Sequence, residues 1–217
     1  MWPASLRWID VSYATPADNL QADQALLESV AADPRQATLR FWESATEVVV
    51  VGRSNRIERE VHLAACLADN VPILRRMSGG GAVVLGPGCL CYALALPLPE
   101  GCTRNITRVT ATIMQRLVRA FQTAGWAVAA AGVSDLVHEG RKFSGNAQRW
   151  LQGAVLHHGT VLYDFDLSKI ERYLRMPIRQ PAYREARPHR EFVANLPLSR
   201  EEIVRLLVAE WAADAPT

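Results

Sequence analysis

Three consecutive glycines, Gly79-Gly80-Gly81, stand between two short runs of β-forming residues, Pro72–Arg76 and Ala82–Leu85. Glycine loses more backbone freedom on folding than any other residue. A triplet in a strand-rich region is therefore costly unless the chain must turn sharply there or approach something closely. The surrounding segment reads Arg75-Arg76-Met77-Ser78-Gly79-Gly80-Gly81-Ala82-Val83. Successive N–H groups in such a loop can hold phosphate or carboxylate oxygens. Two arginines just ahead of it offer charge and bidentate donors. A mobile hairpin turn with two solvated arginines fits the same residues, and both readings stand at this point. No Gly-Lys-Ser/Thr follows the glycines, which excludes a Walker loop, and the Gly-x-Gly-x-x-Gly of dinucleotide folds is absent.

Around this loop the chain reads as strands interspersed with a few helices. Leu6–Val11, Thr38–Trp42, Val48–Val51, Cys89–Leu96, Val128–Ala130, Leu136–His138, Lys142–Arg149 and Val155–Tyr163 carry β-type runs. Thr38–Trp42 and Val48–Val51 are expected in one sheet. Thr15-Pro16-Ala17-Asp18 opens a helix to about Ala32, with an N-cap, a proline in the first turn and an early acid. Glu60–Ala68 predicts a short amphipathic helix, Ile106 to about Gly125 a long one and Leu167–Leu174 a second short one. Ser199-x-x-Glu202 is a capping box for a last helix within 198–212. Residues 175–197 carry four prolines and many arginines and predict an irregular surface connection. Strands without regular βαβ alternation imply an α+β fold of mixed and antiparallel sheets packed with helices, in one domain over residues 1–217.

Composition narrows the partners. The 217 residues are 49% hydrophobic and 21% charged, with a formal charge of +2, too weak a bias to argue for nucleic acid. No apolar run reaches the length needed to span a bilayer, and Met1–Ser5 lacks the basic-then-apolar pattern of a signal peptide, so a cytoplasmic location is expected. Cys66, Cys89, Cys91 and Cys102 form no C-x-x-C pair and are expected to be small buried hydrophobes.

Two further segments can carry chemistry. In Ser134-Asp135-Leu136-Val137-His138-Glu139-Gly140-Arg141-Lys142-Phe143-Ser144-Gly145-Asn146-Ala147, a hairpin turning at Glu139-Gly140 would set Asp135 and Lys142 at comparable heights on adjoining strands. A carboxylate and an ammonium so placed can serve a nucleotide and a reacting acyl oxygen. They can equally form an exposed ion pair of little consequence. Only two of the 24 basic residues are lysines, Lys142 and Lys169. Ser144, Gly145 and Ala147 are small and leave room for a ligand or a neighbouring backbone. In His157-His158-Gly159-Thr160, adjacent histidines on a strand point to opposite faces, and a structural role competes with a binding one.

Together these segments resemble the lipoate-protein ligase A family. The matching stretches are Arg75–Val83, Ser134–Leu136, Gly140–Arg149 and His157–Leu162, in the family's order, with weaker echoes at Val51–Asn55 and Arg190–Leu196. The resemblance implies a biotin/lipoate protein ligase-type catalytic domain without the C-terminal accessory domain of longer ligases. It implies an ATP- and Mg²⁺-dependent enzyme that turns lipoate or octanoate into an acyl-adenylate and passes the acyl group to a lysine. The acceptor would be a lipoyl carrier domain: a 2-oxoacid dehydrogenase acyltransferase subunit, a glycine-cleavage carrier protein or a specialised lipoate-binding protein. An accessory-domain protein is a further implied partner; nucleic acid and membrane are not.

By the same resemblance, Lys142 is the active-site lysine and Asp135 the acid near Mg²⁺ and nucleotide. Arg75, Arg76, Ser78, Gly79, Gly80, Gly81, Ala82, Ser134, Ser144, Gly145, Ala147, His157, His158, Gly159 and Thr160 line the acyl-adenylate cavity. Two departures stand out: Val84-Leu85-Gly86-Pro87-Gly88 replaces the usual His-Asp after the loop, and Ser134 replaces an Asn. An octanoyl- or lipoyl-transferase of the same fold, working through a cysteine thioester, is one alternative. A non-catalytic carrier-binding relative is another. Neither position where transferase branches carry their cysteine holds sulfur here.

Overall fold

The computed structural model describes residues 6–98 and 105–211. A seven-stranded sheet forms the centre, in the order β1 (Arg7–Asp10), β2 (Thr38–Trp42), β6 (Cys89–Pro97), β10 (Ala154–Leu162), β9 (Arg141–Leu151), β8 (Asp135–His138), β7 (Val128–Ala131). Only the β1–β2 pair is parallel. A second, three-stranded sheet has β3 (Val48–Val51) between β4 (Ile73–Arg75) and β5 (Val83–Leu85). Helices α1 (Pro16–Ala32), α4 (Ile106–Gln122) and α7 (Arg200–Glu210) are the long ones. α2 (Ile57–Glu60), α3 (Leu63–Ala68), α5 (Ser168–Tyr173) and α6 (His189–Phe192) are one turn or slightly more. Among the described residues no helix is long and apolar enough to cross a membrane.

The period-two alternation of β6 decides the layering. Leu90, Tyr92, Leu94 and Leu96 point to one face and meet α4 and α7 through Ile113, Leu117, Phe121, Ile203 and Leu207. Cys89, Cys91, Ala93 and Ala95 point to the other face. The alanines receive Leu26, Leu27 and Val30 of α1, and the cysteines meet the small sheet. Small residues on that face let the helix and second sheet come close. Cys66, Cys89 and Cys91 are buried free thiols, as expected; Cys102 lies outside the described residues.

Three expectations need correction. β2 and β3 do not share a sheet: the polar turn after Trp42, pinned by Ser44 Oγ donating to Thr46 O at 2.6 Å, carries the chain to the second layer. There the all-valine β3 is buried on both faces as the central strand. The single helix over Glu60–Ala68 is instead α2 and α3, interrupted where Val61 forms a β-bridge with Leu174. The segment 175–197 is irregular and exposed along one side, as expected, but its other side is packed rather than free. Its Arg184, His189, Phe192, Val193 and Leu196 are buried, Val193 bridges to Lys142, and Ala194 N donates to Lys142 O at 2.9 Å. Apolar side chains spaced among its arginines, with Arg184 stacked 4.5 Å over the Phe192 ring, give it a packed face. The capping box formed as expected, with Ser199 and Glu202 bonding reciprocally; Ala212, the expected end of that helix, lies outside the described residues.

Candidate active site

Glu139 and Gly140 both adopt positive φ, 50° and 71°, the conformation a tight turn between right-twisted strands demands. This turn joins β8 to β9 and brings Lys142 Nζ to 2.7 Å from Asp135 Oδ1. Gly145 faces the same spot: a Cβ there would stand 2.8 Å from the ammonium, so the missing side chain is the space the lysine occupies. The second carboxylate oxygen of Asp135 accepts from Tyr183 OH at 2.7 Å. Burial, and then the adjoining Asp135, pushes the Tyr183 phenol well up, so it remains a donor.

Opposite lies the glycine loop, braced from beneath. Arg76 is buried and its guanidinium donates to Gly79 O at 2.6 Å and Gly81 O at 2.8 Å. Burial lowers its pKa to about 10, which leaves it charged at neutral pH. Asn55 Nδ2 donates to Gly80 O at 2.8 Å, and a Cβ on Gly52 would lie 2.1 Å from that carbonyl. Gly80 itself has φ of 91°, the left-handed region. The loop is therefore a held structure, and the mobile-turn reading falls. Ser78 Oγ lies 2.6 Å from His158 Nε2, and His158 Nδ1 lies 3.7 Å from Asp23 on α1. Asp23 in turn pairs with the buried Arg40 at 2.6 Å. A chain of polar contacts thus ties α1, the central sheet and the loop together.

Two cavities of about 250 Å³ each flank this arrangement and share a wall of Gly81, Ala82, Val83, Asp135, Lys142, Gly145 and Thr160. The first is bordered by Glu60, Arg175, Arg179, Arg184, His189 and Phe192, so cations predominate on its far side. The second runs under α1 between Leu20, Trp42, Val50, Leu85 and Cys91, with Asp23 and His158 among its lining. Burial drives the Cys91 thiol far above its ordinary range, so it stays protonated and unreactive.

The expected site residues divide accordingly. Lys142, Asp135, Gly81, Ala82, Gly145 and Thr160 meet at the shared wall. Ser144 lines the first chamber, and Arg76, Gly80, Ser134, His158 and Gly159 line the second. Ser78, Gly79 and Ala147 are not lining residues. Ser78 is buried behind the loop, and Ala147 lies below Gly80, 4.0 Å from where a Cβ on that glycine would be. Arg75 is in neither chamber, because its Nη1 is consumed by the carbonyls of Gly52, Arg53 and Asn55. His157 is also outside: it points to the opposite face of the sheet, where Gln148 meets its Nδ1 at 2.8 Å. Asp135 uses one acceptor position of each carboxylate oxygen on Lys142 and Tyr183 and keeps a further lone pair on each. Among the described residues no three His, Cys, Asp or Glu gather as a metal group. Sequence reasoning missed Asp23, Trp42, Glu60, Tyr183 and Phe192. Only Asp23 left a trace, as an acid one helical turn after Asn19 on a face otherwise made of apolar residues.

Residues 15–210 match the lipoyl protein ligase A/B catalytic domain. A probable lipoate-protein ligase A of Mycoplasma pneumoniae is 33% identical over 161 residues, which are 74% of this chain and 46% of that protein. The chain spans about half the length of the curated relatives it matches. Two solved structures share the fold. The bipartite lipoate protein ligase of Thermoplasma acidophilum has a TM-score of 0.83 at 22% identity, covering 98% of this chain and 86% of that one. A lipoate-protein ligase A bound with ATP has a TM-score of 0.82 at 23% identity, covering 96% and 84%. Four ordered motifs, the two-chambered site around Lys142 and a family match over nearly the whole length agree: this chain belongs to the lipoyl protein ligase A/B catalytic-domain family.

Proposed function

We propose that the chain is an ATP-dependent lipoate/octanoate–protein ligase that forms an acyl-adenylate and transfers the acyl group to a lysine of a lipoyl carrier domain. The observation that carries this reading is the position of Lys142. Its ammonium stands on the wall common to the chamber under α1 and the chamber edged by arginines, facing the braced glycine loop. The chamber under α1 suits an aliphatic acyl tail. The chamber edged by Arg175, Arg179 and Arg184 suits a nucleotide with its phosphates. The reacting carboxylate and α-phosphate then meet at the wall, within reach of a single positive charge.

In the first half-reaction an acyl carboxylate oxygen bonds the α-phosphorus and pyrophosphate leaves. In the second, the neutral amine of the acceptor lysine bonds the acyl carbon, and the C–O bond to phosphate breaks. AMP departs with that electron pair. Negative charge builds on the acyl and phosphate oxygens in both steps. A preorganised ammonium held by Asp135 and Tyr183 lowers the barrier to each. A divalent ion would arrive with the triphosphate and supply charge neutralisation there; the side chains named here supply binding, orientation and the fixed cation. The thioester alternative lacks support, because the chamber thiol, Cys91, is held protonated by burial.

The test is ATP–pyrophosphate exchange dependent on lipoate or octanoate. Wild type is expected to exchange. Lys142→Ala should lose on the order of a hundredfold or more in exchange and transfer while its melting temperature stays near wild type. Full exchange by Lys142→Ala sinks the reading. Absence of exchange in wild type, with acyl transfer from an acyl carrier protein, replaces it by the transferase.

A further inference from the structure

A groove of about 670 Å³ opens beside the first chamber and shares Glu60, Gly81, Pro177 and Arg179 with it. Its outer rim gathers several cations. Arg56, Arg59 and Arg179 border it, with Arg53 just ahead in the chain, and all four are exposed. Among the described residues none of these four guanidinium groups makes a hydrogen bond or an ion pair. Of the exposed arginines elsewhere, Arg35, Arg119 and Arg172 pair with Asp33, Glu210 and Asp69, while the guanidinium groups of Arg7, Arg108 and Arg205 stand without a hydrogen bond or ion pair among the described residues but are not gathered around a groove. Glu58 and Glu60 are the acids of the same short helix. Ile178 borders the same groove with 77% of its surface exposed, and Met176 nearby is 41% exposed.

Unpaired like charges side by side repel one another and lower stability. Set around an apolar side chain at the mouth of a reaction chamber, they fit a surface that is covered during turnover. A nucleotide tail would use converging donors and has no need of an exposed isoleucine, so the rim favours a protein. Resting on the ligase reading, we infer that this groove docks the acceptor protein through an acidic face around its target lysine. Asp and Glu of the partner meet Arg53, Arg56 and Arg59, and an apolar residue covers Ile178. The lysine then enters past Glu60, whose buried Oε2 has no hydrogen-bond partner and is an acceptor suited to an arriving ammonium.

The experiment uses the full chain and a purified E2 lipoyl domain whose acceptor lysine is flanked by Asp and Glu. The same domain with those acids changed to Asn and Gln is the control. Arg56→Glu with Arg59→Glu, and separately Ile178→Asp, should each raise KM for the acidic domain at least tenfold. Acyl-dependent pyrophosphate exchange and melting temperature should stay within twofold and two degrees or so of wild type. Added salt should slow transfer steeply in wild type and weakly in the charge-reversal variant, which should also no longer distinguish the two domains. Unchanged KM in both variants, or equal use of both domains by wild type, overturns the inference. Loss of exchange in the charge-reversal variant overturns it in favour of a phosphate site. A wild type that exchanges yet ignores the acidic domain overturns the docking surface alone. A wild type that neither exchanges nor transfers overturns the ligase reading and this inference together.

Discussion

Lys142 can fold back against Asp135 because position 145 carries no side chain. A methyl group there would sit 2.8 Å from Nζ and 2.9 Å from Cε, the far end of a flexible chain, so the lysine would yield rather than the sheet. Gly145→Ala is therefore expected to melt close to wild type while losing about tenfold or more in pyrophosphate exchange, since a displaced charge no longer faces the reacting oxygens. Unaltered exchange would remove Gly145 from the site. His157 supplies a different test. Burial depresses its pKa to about 3, with the neighbouring His158 adding to the effect. An unfolded histidine titrates near 6.5, so below that pH the unfolded chain binds the extra proton and stability falls as pH drops toward 3. The slope is about 1.4 kcal/mol per pH unit at most. Urea melts of wild type and His157→Gln between pH 7 and 4.5 should show the variant losing less per unit; parallel slopes would refute it. At this scale hairpin spacing foretold that Asp135 and Lys142 meet, while Gly145 was legible only as a small residue that leaves room. The use of Arg75 and Arg76 to hold backbone carbonyls could not be read, because an arginine that holds carbonyls and one that waits for phosphate look identical in a string of letters.

Helix α1 is fastened to β2 by polar groups as well as by leucines. Arg40 Nη1 donates to Asp23 at 2.6 Å and Nη2 to Asn19 Oδ1 at 2.6 Å, with the paired side chains nearly inaccessible. Removing one charge leaves the other buried and uncompensated. Asp23→Ala should cost about 3–5 kcal/mol in urea unfolding, whereas Asp23→Leu combined with Arg40→Leu should recover much of that loss. A cost below about 1 kcal/mol for the single change would mean that water reaches the pair. Elements with strong local signals were legible: the Thr15 cap and proline of α1, the capping box of α7, the left-handed turn at Glu139-Gly140 and the alternation of β6. Partnership between strands was not. Val48–Val51 carries no alternation, and a strand buried on both faces offers no hint of which sheet it completes.

For the molecule as a whole, the misjudged stretch is the most instructive. Residues 175–197 read as loop because prolines and arginines dominate them, yet they close the first chamber. Burial of Phe192 between Tyr183 and two stacked guanidinium groups is what turns a proline-rich run into a wall. Phe192→Ala should cost about 3–5 kcal/mol and should also raise AMP release in the absence of carrier, as water gains entry to the intermediate. Destabilisation without extra AMP would limit the ring to a packing role. The other chamber is bounded from the far side of the chain, by Leu20 and Asp23 on a helix that contributes nothing to the shared wall. On the proposed reading, tail length answers largely to the first helix. A redesign that spares Asp23, whose contact with His158 reaches the glycine loop, could admit bulkier or labelled fatty acids without disturbing the machinery that activates them.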